Sequence, residues 1–165
     1  MSITNGKCLF VQKEDIAIFK IMGHLRFNTS GGLAAKIEGL NLTPEIKEVV
    51  VDMSETDFVD STVLGLLAQL GKREVTPIIM YEHEKIYNML RHLGLHKIFI
   101  LCKKTQTPSL DIDQAFQEMI SVTQDSKDKI RERIKKAHKL LYEIDEKNKM
   151  EFGDVVSCLF KPNNG

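Results

Sequence analysis

One serine stands among acidic residues at the start of an apolar segment, in the stretch DFVDSTVLGLL at positions 57–67. An aspartate followed by a serine is typical of a helix N-terminus, where side-chain oxygens accept hydrogen bonds from backbone N–H groups and the helix dipole favours negative charge. A phosphate on Ser61 would therefore suit its own helix. Its charge of about −1.5 to −2 would also join three nearby carboxylates and repel a docked partner. Those carboxylates belong to Glu55, Asp57 and Asp60. The residues alone leave two interpretations open, a simple capping pair and a phosphorylation switch.

The segments on either side of Ser61 predict a strand, a tight turn and a buried helix. EVVVDM, at 48–53, is a continuous run of β-branched and apolar residues, as expected of a central strand buried on both faces, and we expect that strand to end at Asp52. In the predicted helix Ser61–Arg73, apolar residues occupy most of the circumference, which predicts deep packing. Asp60 is placed to cap this helix and Ser61 to lie in its first turn.

The remaining elements of the first hundred residues predict an α/β fold. Their order is β-β-α-β-α-β-α-β, with parallel strands joined by helical crossovers into a mostly parallel sheet flanked by helices. The predicted elements are a hairpin at Cys8–Gln12 and Ile16–Met22, a loop HLRFNTS after Gly23, a helix with Leu33, Ile37 and Leu40 capped by Thr29 or Ser30, the strand TPIIMY, the helix Glu84–Leu93 ended by Gly94, and the strand LHKIFILC.

The chain changes character near TQTPS, so we expect one domain over residues 1–108 and a helical C-terminal extension over residues 109–165. A short helix is predicted from Ile112, Ala115, Phe116, Met119 and Ile120. A second helix carries an apolar stripe at spacings of four and three, formed by Ile130, Ile134, Ala137, Leu141 and Ile144. We expect this stripe to pack on the chain's own domain, and a homodimer through it is a further possibility. Its basic residues alternate with acidic ones, which does not favour nucleic-acid binding. The last apolar stretch, DVVSCLF, fits a strand or a helix equally well.

The segment VVVDMSETDFVDSTVLGLLAQLGKR resembles the STAS family, the anti-sigma factor antagonists. Its signature is an apolar strand ending in Asp, followed by D-S-x-G-[LIV]-G at the start of a helix, and its first glycine is Val63 here. GHLRF upstream and PIIMYEHEKIYNMLRHLGLHKIF downstream also lie where members of that family place corresponding elements. The resemblance covers about residues 7 to 108, and it implies a STAS-like fold.

The resemblance also implies a function. The serine matching Ser61 is phosphorylated in that family by an anti-sigma factor kinase of the GHKL type and dephosphorylated by a metal-dependent serine phosphatase. We therefore expect a non-enzymatic, serine-phosphorylation-controlled switch that binds an anti-sigma factor or such a kinase in a partner-switching pathway. The expected partner-binding residues are Asp57, Phe58, Asp60 and Thr62 together with Leu25, Arg26 and Phe27.

Two other interpretations remain. A constitutive STAS subunit of a scaffold or lipid-transport complex would need no reversible charge on Ser61. A phosphoacceptor receiver domain would place an aspartate such as Asp52 at a strand end and a lysine such as Lys103 or Lys104 at the last strand. Receivers also need an acidic pair after the first strand to hold Mg²⁺, and the acidic pair of VQKED precedes the second strand instead.

Composition narrows the class of protein further. Among 165 residues, 42% are hydrophobic, and 23 basic residues balance 23 acidic ones, so no overall charge favours nucleic acid or a membrane surface. No window reaches the length of a membrane span and the first ten residues lack a secretory pattern, so we expect a cytoplasmic protein. Cys8, Cys102 and Cys158 are widely spaced and predict three buried thiols rather than disulfides or a metal site. We expect no enzyme in the ordinary sense, since no nucleophile–base pair, phosphate loop or dinucleotide fingerprint occurs, and we expect no cofactor.

Overall fold

The computed structural model describes residues 6–27, 31–106, 117–118 and 127–144. Its described strands are β1 (Lys7–Lys13), β2 (Ile16–Leu25), β3 (Glu48–Val59), β4 (Ile78–Tyr81), β5 (Ile100–Lys103) and β6 (Gln117–Glu118). They form one sheet in the order β5-β4-β3-β2-β1-β6. Strands β2, β3, β4 and β5 are parallel to one another, β1 is antiparallel to β2, and β6 is antiparallel to β1. The predicted α/β fold with a mostly parallel sheet is confirmed.

The chain begins with the predicted hairpin, formed by β1 (Lys7–Lys13) and β2 (Ile16–Leu25). The turn is Glu14–Asp15, and Glu14 adopts a positive φ of 56°. β2 runs three residues further than the sequence predicts. Gly23, at φ 69°, lies at an irregularity in the pairing with β3, and because glycine tolerates this conformation the strand can continue beyond it.

The central strand β3 (Glu48–Val59) is longer than predicted, because the strand does not end at Asp52. Its polar second half, SETDF, pairs with the last residues of β2, so β2 supplies the hydrogen-bonding partner that keeps this segment extended. Two shorter strands complete the parallel part, β4 (Ile78–Tyr81) and β5 (Ile100–Lys103). The predicted strand LHKIFILC is wrong over its first half, where Leu95–Lys97 form a 3₁₀ turn instead.

Three helices pack around the sheet, namely α1 (Gly31–Asn41), α2 (Ser61–Ala68) and α3 (Glu84–His92). Residues of all three lie in one core cluster with Phe19, Val51 and Ile79 of the central strands. α2 is short because a 3₁₀ turn, Gln69–Lys72, follows it, but every residue of α2 after Ser61 is buried, as predicted. Gly94 adopts the predicted left-handed conformation after α3, at φ 82°. The predicted capping residues Thr29 and Ser30 lie outside the described residues.

The extension contributes β6 (Gln117–Glu118) and the long helix α4 (Lys127–Ile144). β6 pairs with Leu9 and Phe10 of β1, so the short helix predicted across this region is wrong at these two residues. The five residues on which that helix was predicted, and DVVSCLF, lie outside the described part of the chain.

Helix α4 packs against α2. Ala137 and Leu141 of the apolar stripe are fully buried, Leu140 and Leu141 belong to the main core cluster, and Ile144 packs against it. The prediction that the stripe packs on the chain's own domain is confirmed for this part. Among the described helices, none is both long enough and apolar enough to cross a membrane.

Candidate functional site

Asp60 connects the start of α2 to the end of β2. Its Oδ1 accepts a hydrogen bond from the backbone N–H of Val63 at 2.9 Å, which makes it the N-cap of α2 as predicted. Its Oδ2 accepts a second bond from the backbone N–H of Phe27 at 2.7 Å. One carboxylate therefore holds both the helix that begins at Ser61 and the segment that follows β2.

The parallel pairing of β2 with β3 brings the other predicted residues to the same edge of the sheet. Leu25 is paired with Val59, and His24 is paired with Phe58, with their ring centroids 5.4 Å apart. Because the carboxyl ends of neighbouring parallel strands lie side by side, segments separated by more than thirty residues meet here. The predicted partner-binding residues thus form one continuous region, which we call the Ser61 surface: Leu25–Phe27, Asp57, Phe58 and Asp60–Thr62.

The members of the Ser61 surface differ in exposure. Arg26 and Asp57 are exposed, and the side chain of Phe27 is 39% exposed, which is unusual for a phenylalanine. Phe58, Asp60 and Ser61 are half-buried. Leu25 and Thr62 are buried, Thr62 at 4% exposure. Leu25 therefore belongs to the core at the end of a strand rather than to a loop, and Ser61 is the more exposed of the two hydroxyl-bearing residues.

The hydroxyl of Ser61 contacts a residue that the sequence analysis did not single out. Ser61 Oγ lies 2.9 Å from Nε2 of His138, on helix α4. The other ring nitrogen of His138, Nδ1, lies 2.8 Å from the backbone carbonyl of Ile134. A carbonyl only accepts, so Nδ1 carries hydrogen, and in the neutral imidazole Nε2 must accept from the serine hydroxyl. His138 is 7% exposed and Ser61 is half-buried, so this bond is partly shielded from bulk water.

Two further contacts hold α4 over the same region. Arg133 donates a hydrogen bond from its guanidinium to the backbone carbonyl of Phe27 at 2.9 Å. The backbone of Ala137 lies directly on Gly65, where a Cβ would overlap the Ala137 carbonyl. Glycine at position 65 therefore allows close contact between the backbones of α2 and α4.

A signal for His138 was present in the sequence. It lies four residues after Ile134 and three before Leu141, so helical spacing places it on the apolar stripe. A polar side chain on a buried stripe needs a hydrogen-bonding partner. The spacing could not identify that partner, since Ser61 is 77 residues away in the sequence.

The receiver-like residues also meet in the fold. Lys104 Nζ lies 3.6 Å from Asp52 Oδ2 and 3.2 Å from Ser54 Oγ, so the lysine does reach the aspartate. The acidic pair that a receiver needs to hold Mg²⁺ does not lie near Asp52. Glu14–Asp15 form the hairpin turn, and Asp15 lies five residues before the Lys20 that pairs with Asp52, a separation of about 16 Å along the strand. The geometry therefore does not favour a receiver.

The cysteines differ from the predicted set of three buried thiols. Cys8 is buried, and desolvation raises the pKa of its thiol to about 12. Cys102 is only half-buried, so the prediction is wrong for this residue, and Cys158 lies outside the described residues. Within the described ranges, no group of three or more His, Cys, Asp or Glu side chains is arranged to hold a metal ion.

Comparison with known proteins agrees with this architecture. The crystal structure of an anti-sigma factor antagonist from Mycobacterium paratuberculosis is similar to this chain, at 21% sequence identity and a TM-score of 0.51. The similarity covers 65% of this chain and 89% of that one, and it establishes the shared fold. Residues 8–110 match the family model of the STAS domain, and helix α4 lies beyond that match. Because the matched residues make up more than half of the sequence, the chain belongs to the STAS domain family.

Proposed function

We propose that this protein is an anti-sigma factor antagonist whose binding to an anti-sigma factor or a GHKL-type serine kinase is controlled by phosphorylation of Ser61. The observation that carries the proposal is the position of that hydroxyl. It lies half-buried in the first turn of α2, beside the capping carboxylate of Asp60 and within the Ser61 surface. The STAS family membership and the fold shared with an anti-sigma factor antagonist support the same conclusion.

Burial favours Ser61 over its neighbour as the phosphorylated residue. A kinase must bring the γ-phosphate of ATP into line with the attacking hydroxyl, so the hydroxyl must reach the surface. Thr62 is only 4% exposed and its modification would require α2 to leave the core. Ser61 can be reached without unfolding α2.

The electrostatics around Ser61 explain how a phosphate would act as a switch. A helix N-terminus stabilises negative charge by about 0.3–1 kcal/mol, so the modified serine would not unfold α2. On the outside, the phosphate would lie near Asp57, which is exposed, and Asp60. An acidic or apolar partner surface would have to desolvate this charge, which weakens binding. Unphosphorylated protein would bind its partner, and a serine phosphatase would restore that state.

A homodimer formed through helix α4 is a separate proposal. Ala137 and Leu141 are buried within the chain's own fold, so a dimer built on the same stripe would require α4 to leave α2 first.

The test compares three substitutions of Ser61 in the full chain, in the cells from which the protein comes. Ser61→Ala should keep the partner during co-purification and lose the phosphopeptide. Ser61→Asp should fold normally and lose the partner. Ser61→Asn is the matched control for Ser61→Asp, since it has the same shape without the charge, and should keep the partner.

Mass spectrometry of the phosphopeptide shows whether the phosphate is on Ser61 or Thr62. The Thr62→Val variant should still be phosphorylated, because Ser61 is unchanged. An Asp variant that binds as well as the Asn variant would refute the switch. Recovery of only scaffold or lipid-transport subunits, with Ser61 never phosphorylated, would identify the protein as a constitutive subunit instead.

A further inference from the structure

Helix α4 contacts the Ser61 surface at two places and the neighbouring turn of α2 at a third. His138 is hydrogen-bonded to Ser61, Arg133 to the carbonyl of Phe27, and the backbone of Ala137 lies on Gly65. The three residues of α4 that make these contacts lie within about one and a half turns of the helix. The surface that the proposed function assigns to an external partner is therefore in part occupied by the chain's own extension.

We propose that α4 is an intramolecular competitor for the Ser61 surface, which closes that surface to a partner and the Ser61 hydroxyl to a kinase until α4 moves away. This inference rests on the proposed function, because the competitor regulates the same site.

The contact between Ser61 and His138 accounts for the closure. When the imidazole is neutral and Nδ1 donates to the carbonyl of Ile134, Nε2 accepts from the serine hydroxyl, and the His138 side chain that holds it there is 7% exposed. Phosphoryl transfer needs an incoming phosphate in line with the hydroxyl oxygen and a base that accepts its proton. The imidazole of His138 occupies the space on one side of that oxygen, at 2.9 Å. Phosphorylation of Ser61 therefore requires α4 to be displaced.

The packing of α4 is suited to reversible release. The main core cluster is built mostly from the sheet and from α1, α2 and α3, and among its buried members only Leu140 and Leu141 come from the described part of α4. Ala137 is also buried, and Ile144 packs against the cluster. The opposite face of α4 is exposed and charged, with Arg131, Lys136 and Lys139. Units with few buried apolar contacts open at a lower free energy than the rest of a domain. α4 can therefore open while the sheet stays folded.

Covalent tethering makes the competition effective. A segment on the same chain is present at a high local concentration, so it rebinds its site faster than a dilute partner. The apparent affinity for a partner falls by the fraction of molecules in which the surface is open. A partner or another signal that binds released α4 would raise that fraction.

Thiol labelling at the site tests the closure directly. Ser61→Cys is introduced into the full chain, and its rate of modification by a maleimide carrying a polyethylene glycol chain is followed by peptide-resolved mass spectrometry, which separates it from Cys8, Cys102 and Cys158. The test variant adds Ala137→Gln, whose longer polar side chain has no open space at a fully buried position on the face of α4 that contacts α2. The matched control adds Lys136→Gln, the same new residue at the exposed neighbouring position.

We expect the Ala137→Gln variant to be labelled about 10- to 1,000-fold faster than the control, the range given by an open state populated at 0.1–10%. A nearby imidazole can activate a thiol, so the rate with a small reagent would report reactivity as well as access. A bulky reagent is chosen because it cannot reach a covered thiol even when that thiol is activated. Circular dichroism checks that the fold is kept. If Ala137→Gln fails to fold, Arg133→Gln replaces it, and a rise in rate is expected in the same direction.

Equal labelling rates in the test and control variants would refute the proposal that α4 closes the Ser61 surface, and would leave the proposed function unaffected. Faster labelling of the test variant, together with a Ser61 that is never phosphorylated in cells, would support closure by α4. That pair of results would count against the proposed function alone. The two ideas can therefore fail separately.

Discussion

Replacing Gly65 by alanine tests whether α4 is seated on α2, and Gly39→Ala is its matched control. Both glycines lie within helices, but the space around them differs. A Cβ at Gly39 would have nothing within 4 Å, whereas a Cβ at Gly65 would overlap the backbone of Ala137. The same substitution at the two sites therefore separates helix propensity from the contact between α2 and α4.

The expected magnitude follows from two opposing effects. Alanine is up to about 1 kcal/mol more favourable than glycine inside a helix, and this gain applies at both sites. Overpacking a close contact costs about 1–3 kcal/mol. The gain cancels in the comparison, so Gly65→Ala should have a lower free energy of unfolding than Gly39→Ala by about 1–3 kcal/mol.

Urea denaturation of the full chain measures this difference, since a shift of the midpoint at constant slope reports a change in stability. Hydrogen exchange should locate the loss in Gly65→Ala at α4, with faster exchange there than in the control. If the two variants are stabilised equally, α4 does not lie on Gly65, and the reasoning about the closed Ser61 surface is refuted.

Three further outcomes are expected. Asp60→Ala should lower the free energy of unfolding by about 1–3 kcal/mol, because the backbone N–H groups of Val63 and Phe27 both lose their acceptor; a loss below about 0.5 kcal/mol in urea denaturation would contradict the double role of this carboxylate. Burial raises the pKa of the Cys8 thiol to about 12, against 9.0 in the unfolded chain. The neutral thiol therefore contributes fully to the free energy of unfolding below pH 9.0, and this contribution is lost as the pH rises from there towards 12. The slope should be about 1.4 kcal/mol per pH unit relative to Cys8→Ala, and identical pH profiles for the two proteins would contradict this. Deleting residues 109–165 should lower the melting temperature and increase binding of a hydrophobic dye, because α2 loses its cover; a truncated chain with neither change would show that α4 covers nothing.

Local patterns were sufficient for most of the elements. The β-branched run EVVVDM, the apolar circumference of α2 and the glycine after α3 each depend on neighbours within a few residues, and each is found where predicted. The Asp60 cap belongs to the same class, since its acceptor and donor are three residues apart. Such features follow from the spacing of residues along one strand or one helix turn.

Errors arose where a second segment decides the conformation. SETDF is polar and has no strong strand pattern, yet it is extended because the end of β2 provides a hydrogen-bonding partner. LHKIFILC has a strand composition, but its first residues continue the turn after Gly94 and only Ile100–Lys103 pair with β4. Composition describes what a segment prefers, and pairing with another segment overrides a weak preference.

The amino-acid sequence by itself determined the α/β order, the buried helix after Asp60, Ser61 as the candidate for modification and the apolar stripe of the extension. Only the tertiary structure decided that α4 lies on α2 and that His138 contacts the Ser61 hydroxyl across 77 residues. The physical reason is that helical spacing specifies which side chains share a face, whereas the surface buried against that face depends on the shape and hydrogen-bonding groups of the folded domain.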